Sequence, residues 1–117
     1  MSFVTTYLIA AHEDDTKCIE MLNKEIIRHY DAMDHFGSKY TFREMGCYFT
    51  RADASSFFAT AANHLSPEGL MGLLNVTEWN YPSLLKVLYR TENMKSWGEI
   101  LYSPGGESKA GFYLIHD

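Results

Sequence analysis

The stretch DDTKCIEMLNKEIIRHYDAMDHF, residues 14–36, sets the expected architecture of the chain. Ile19, Leu22, Ile26, Tyr30 and Met33 recur at steps of three, four, four and three, the period of one face of an α-helix. Asp14 or Asp15 stands where a carboxylate caps the free amides of a first turn and complements the positive end of the helix dipole. Gly37 follows where a left-handed C-terminal cap belongs, and Glu20 precedes Lys24 at i, i+4, as an exposed face prefers. A helix with a single apolar face needs a surface to cover.

The flanking residues supply that surface. Phe3–Ala11 is rich in β-branched and aromatic residues and reads as a strand. Its apolar groups fall at both parities, the pattern of a strand covered on both faces. In Tyr40–Arg51, Tyr40 and Phe42 alternate with polar neighbours, as do Cys47 and Phe49, while Met45-Gly46 interrupts. The expectation is one bulged strand or two short ones. Asp53 reads as a cap for a helix over Ala54–Leu65, with Phe57, Phe58, Ala61, Ala62 and Leu65 on its apolar face.

Ser66-Pro67-Glu68 is a restart signal of cap, proline and acid, so a short helix over about Pro67–Asn75 should bury Leu70, Leu73 and Leu74. Pro82–Met94 fits two periods: Leu84, Leu85 and Leu88 suit a helix, and Leu85, Val87 and Tyr89 suit a strand. Pro82 at the start favours a helix. Trp97–Ser103 and Ala110–His116 read as strands of a hairpin joined by the loop from Pro104 to Lys109. The expected fold is therefore a single α+β domain over residues 1–117. A long N-terminal amphipathic helix packs on a small, mostly antiparallel sheet, with further helices and a C-terminal β-hairpin.

Composition bounds the function. A chain of 117 residues that is 46% hydrophobic and 21% charged buries a core and is not disordered. The net charge is −5, and neither half carries a basic block, so attraction to nucleic-acid phosphates or anionic lipid has no compositional support. Cys18 and Cys47, isolated and outside any Cys-x-x-Cys, read as reduced thiols of a cytoplasmic protein. The apolar run at Phe3–Ala11 is too short to span a bilayer, and no membrane association is expected.

Three function classes remain. The first is a non-enzymatic protein-binding module, an inhibitor, adaptor or regulator. It would present Tyr48, Trp79, Tyr81, Tyr89, Trp97 and Tyr102, since Trp and Tyr dominate interface energetics. Trp79-Asn80-Tyr81-Pro82 is its densest patch, and an unpaired hairpin edge offers strand addition to a partner or a second copy. The second is a winged-helix regulator, in which helix order and hairpin would place Ser83, Lys86 and Arg90 toward a groove and Lys109 on a phosphate. Acidic charge disfavours it.

The third is a small enzyme or metal-binding domain around His12-Glu13-Asp14-Asp15, with His116 and Asp117 able to approach if the terminal strands pair. Asp31 and His35, at i, i+4 near His29 and Asp34, have a spacing that places two ligands on one metal. Neither set completes a metal motif. Cys18 near a helix start could have a lowered thiol pKa, or serve as a small core residue. No cofactor motif and no metal site is expected.

Overall fold

The computed structural model describes residues 4–30, 41–49, 54–62, 65–105 and 109–115. In chain order they form β1 (Thr5–His12), a 3-10 turn (Glu13–Asp15), α1 (Thr16–Tyr30), β2 (Arg43–Phe49), β3 (Ala54–Ala62) and α2 (Pro67–Val76). A second 3-10 turn (Pro82–Leu84), β4 (Lys86–Thr91), β5 (Gly98–Ser103) and β6 (Gly111–Ile115) complete them. The six strands make one sheet in the order β2-β3-β1-β4-β5-β6, every neighbouring pair antiparallel. The α+β class expected from the sequence is present.

The first four strands and both helices form two interleaved units, β1-α1-β2 and β3-α2-β4. In each unit the two strands are separated by a strand of the other. This is the split β-α-β, or ferredoxin-like, arrangement, here extended past β4 by the β5–β6 hairpin. Topology of this kind hosts many activities and assigns none.

Two segments expected to be helices are strands. Residues 54–62 form β3, held between β1 and β2. Phe57 and Phe58 explain it: Phe58 is 5% exposed and Phe57 is 44% exposed, on opposite faces. A helix would set these adjacent rings only about 100° apart. Pro82 starts one 3-10 turn and no more. From there the alternation wins, because Leu85, Val87 and Tyr89 are buried while Lys86 and Arg90 are exposed.

The long N-terminal helix is also corrected. The described helix follows a strand and spans Thr16–Tyr30, 15 residues; residues 31–36 lie outside the described set. One further α-helix, α2, is described where several were expected. With residues 54–62 and 86–91 in strands, the helix order of a winged helix is absent.

Other expectations stand. Ser66 Oγ accepts from Gly69 N–H at 3.0 Å and opens α2, whose Leu70, Leu73 and Leu74 are buried. The register of β2 shifts between Glu44 and Gly46, the expected bulge. The β5–β6 hairpin forms with Ser103 opposite Gly111.

One face of the sheet is covered. Tyr7, Ile9 and Ala11 of β1 join Phe58, Val87, Tyr89, Ile100 and Phe112 in a core capped by Ile19, Leu22 and Ile26 of α1 and the three leucines of α2. Each helix also grips a segment at one outer flank of the sheet through an asparagine. Asn23 of α1 accepts from Phe42 N–H at 2.8 Å and donates to its carbonyl at 3.0 Å, just before edge strand β2. Asn75 of α2 accepts from Phe112 N–H at 2.7 Å and donates to its carbonyl at 3.3 Å, on edge strand β6. Gly111 leaves room for that amide, since a Cβ there would come 2.9 Å from Asn75 Oδ1.

The Tyr89 ring lies over Gly98 of β5, and its hydroxyl donates to the Ile115 carbonyl at 3.3 Å. A Cβ on Gly98 would overlap the ring. We expect Gly98→Ala to cost about 1–3 kcal/mol, the usual penalty for overpacking a core, in a denaturant titration. Unchanged stability would mean that the ring has free space to move. Asn75→Ala should cost about 1–2 kcal/mol and speed hydrogen exchange at the Phe112 amide. Unaltered exchange would mean that the asparagine does not hold that edge strand.

Candidate functional site

At the end of β1, His12 Nδ1 accepts from Asp14 N–H at 3.1 Å, so the histidine caps the 3-10 turn that precedes α1. Asp15 instead turns inward and is fully buried. Its Oδ1 accepts from Asn80 N–H at 2.8 Å and its Oδ2 from Tyr81 N–H at 2.9 Å. Asn80 Nδ2 returns a bond to the Asp14 carbonyl at 3.2 Å. One carboxylate at the dipole-favoured start of α1 thus fastens the 77–81 connection across more than sixty residues of sequence.

Cys18 sits one turn further on, with Sγ 3.3 Å from the Glu78 carbonyl and 3.5 Å from Asp15 Oδ1. Burial, then the hydrogen bond and charge of Asp15, push the thiol pKa up from its ordinary value. The lowered, reactive thiol is therefore replaced by a buried, protonated one. Both Asp15 carboxylate oxygens are spent on the chain's own amides, which gives this residue a structural role. Among the described residues no three His, Cys, Asp or Glu side chains converge as metal ligands do. Asp31, Asp34, His35, His116 and Asp117 lie outside the described residues, as does the His29 side chain.

The aromatic residues singled out by sequence divide. Trp79 packs against the core and donates from Nε1 to the Leu74 carbonyl at 3.0 Å. Tyr89 is buried, a core ring where a surface anchor was expected. Tyr102 stacks edge-on against Phe112, ring centroids 5.1 Å apart. Tyr81 is exposed and rests on the His12 ring at 4.5 Å. Trp97 is exposed ahead of β5, and the Tyr48 side chain lies outside the described residues. Of the basic set, Lys86 and Arg90 point from strand β4, Ser83 is exposed on the 3-10 turn and Lys109 is exposed before β6. No helix collects them.

A different surface emerges from the register. Strand residues opposite one another share a face, so the side of the sheet away from the helices carries Leu8, Ala10, Ala59, Phe57, Leu88, Leu101, Tyr113 and Ile115. Leu8, Phe57, Leu101, Tyr113 and Ile115 are all exposed, and Met45 at the β2 bulge is 70% exposed. A hollow of about 220 Å³ lies among Leu8, Ala10, Met45, Phe57, Lys86 and Leu88. Lys86 Nζ crosses to Glu99, 2.6 Å from Oε1 and 3.2 Å from Oε2. A wider groove of about 500 Å³ near the start of α2 includes Pro67, Met94, Glu68 and Lys95, with Glu68 its one acid.

The sequence places its densest aromatic patch in the Trp79–Pro82 connection, and it hides the open face because residues 54–65 and 82–94 read as helices. The available signal was β1, whose apolar residues at both parities implied two covered faces. Only one is covered by the described residues. No helix among those residues is long and apolar enough to cross a membrane. No family model matches the chain, and no curated protein or solved structure matches it either.

The Asp15 corner generates two expectations. Asp15→Ala removes the acceptor of two part-buried amides and should cost about 1–3 kcal/mol, read by chemical denaturation. It should also raise the rate of Cys18 alkylation in the native protein. Because the folded-state thiol pKa is raised, its stabilisation is complete below the unfolded value of about 8.5 and is lost as pH rises toward the folded value. Melting temperature should therefore fall above that pH, more in the native chain than in Cys18→Ala. Parallel curves for the two proteins would show that the thiol does not titrate this way.

Proposed function

We propose that this chain is a non-catalytic protein-binding module whose contact surface is the open face of the sheet. One observation supports the reading: exposed apolar side chains occur on β1, β3, β5 and β6 of a face with no described helix over it. A solvated antiparallel face ordinarily alternates to polar residues. Five strand spacings and strands of about six residues give a face of about 24 by 20 Å. Clusters of exposed apolar side chains within a face of that size mark interaction sites.

The anchors are then Phe57, Leu8, Leu101 and Tyr113, with Met45 as an adaptable neighbour. Among the aromatic candidates, Tyr81 and Trp97 retain exposed rings and can extend a contact, while Trp79 and Tyr89 support the core. A second reading, strand addition by a partner or second copy, rests on β6, which pairs only with β5 among the described residues.

The test compares partner capture by the native chain with capture by Phe57→Asp and Leu101→Asp after in-lysate crosslinking. Both substitutions should change stability by less than about 0.5 kcal/mol, as exposed positions do. Both should remove the captured partner. Retention of the same partner by both variants would exclude the open face. Unfolding of both would make these side chains part of the core.

A further inference from the structure

The open face also carries a charge pattern that selects among partners, a role that rests on this face being the protein-binding surface. The charged strand residues that register places on it are Arg43, Lys86, Arg90 and Glu99, three cations against one carboxylate, with Glu92 just past β4 accepting from Val4 N–H, in a chain whose net charge is −5. Glu99 is ion-paired with Lys86, which donates to Oε2, while its buried Oε1 has no hydrogen bond of its own. No carboxylate among the described residues pairs with Arg43 or Arg90, and both are exposed. The positive excess is thus local to the face.

Register fixes where the two arginines stand. Arg43 is opposite Ala59, Ala59 opposite Leu8, and Leu8 opposite Leu88, so Arg43 begins a row that crosses to β4. Arg90 lies two residues beyond Leu88 on β4, opposite Thr6. Three strand spacings separate the two arginine-bearing strands, about 14 Å, and Leu8 lies between them. We infer that the occupant is an acidic amphipathic segment of another protein, with apolar side chains at its centre and carboxylates toward both sides. Its centre covers Leu8, Phe57 and Leu88, and its carboxylates take the planar two-point bonds that guanidinium groups offer.

The same charges argue against the other occupants. Two copies of this chain placed face to face would oppose like-signed surfaces, an arrangement that costs affinity. Nucleic acid meets a chain of net charge −5 and a face whose apolar residues are mostly aliphatic, where stacking needs rings.

The experiment is fluorescence anisotropy of the full chain with three labelled probes: an amphipathic Leu/Glu peptide, its Leu/Lys counterpart, and a mixed-sequence single-stranded DNA. The Leu/Glu peptide should bind about ten-fold more tightly than the Leu/Lys peptide at low salt, with the gap closing as salt rises. Arg43→Glu and Arg90→Glu should each weaken Leu/Glu binding about three- to ten-fold at unchanged melting temperature, and Arg→Lys at either position less.

Equal affinity for the two peptides would overturn the acidic partner and leave the apolar face as the contact. Binding of neither peptide, with partner capture still lost in Phe57→Asp, would do the same. Preference for DNA, lost in Arg90→Glu, would overturn both this inference and the protein-binding reading.

Discussion

The two described helices lie on one face of the six-stranded sheet, and most of the described structure depends on how they are held there. α1 and α2 close over one face, where Tyr7, Ile9, Phe58, Val87 and Ile100 form a continuous layer. No described helix lies over the other face, where Leu8, Phe57, Leu101, Tyr113 and Ile115 are exposed. Burying apolar area dominates the stability of a small domain, so the covered face accounts for folding. Apolar residues exposed on the other face add less to folding than those of the covered face.

Polar groups set where the covering layer sits. Asn23 and Asn75 bind the backbone at opposite flanks of the sheet in the same two-point manner, offering a donor and an acceptor to Phe42 and Phe112. Asp15 acts comparably at the end of β1, holding the connection after α2 against the start of α1. Each of these residues satisfies backbone groups that would otherwise lack partners, and unmade bonds of that kind cost more than formed ones gain. Of the acidic residues at this corner, Asp15 is occupied by this task, and burial beside it pushes the Cys18 thiol pKa up.

Legibility varied with how local the signal was. α2 was readable because its cap, proline and leucine spacing lie within ten residues, and the hairpin because two β-rich runs flank a glycine loop. The β2 bulge was readable from one glycine in an alternating run. β3 was misread because alanine, serine and adjacent phenylalanines suit a helix face as well as a strand. Only pairing with β1 and β2 on both sides decides between them. β4 carried both periods, and Pro82 pointed to a helix that lasts one 3-10 turn. The open face is not legible in sequence, since a face built from six strands is invisible when two of its interior strands, β3 and β4, read as helices.

By itself, the sequence determined the α+β class, the amphipathic face of α1, the capped α2, the terminal hairpin and the acidic balance of the chain. These are properties of spacing and composition over short windows, which elementary periodicity and capping chemistry decide. Tertiary structure decided strand order, the conversion of residues 54–62 and 86–91 to strands, the inward turn of Asp15 and the segregation of Arg43 and Arg90 onto one face. Those depend on which distant segments hydrogen-bond. A β-strand takes its partners, and so its faces, from outside its own window.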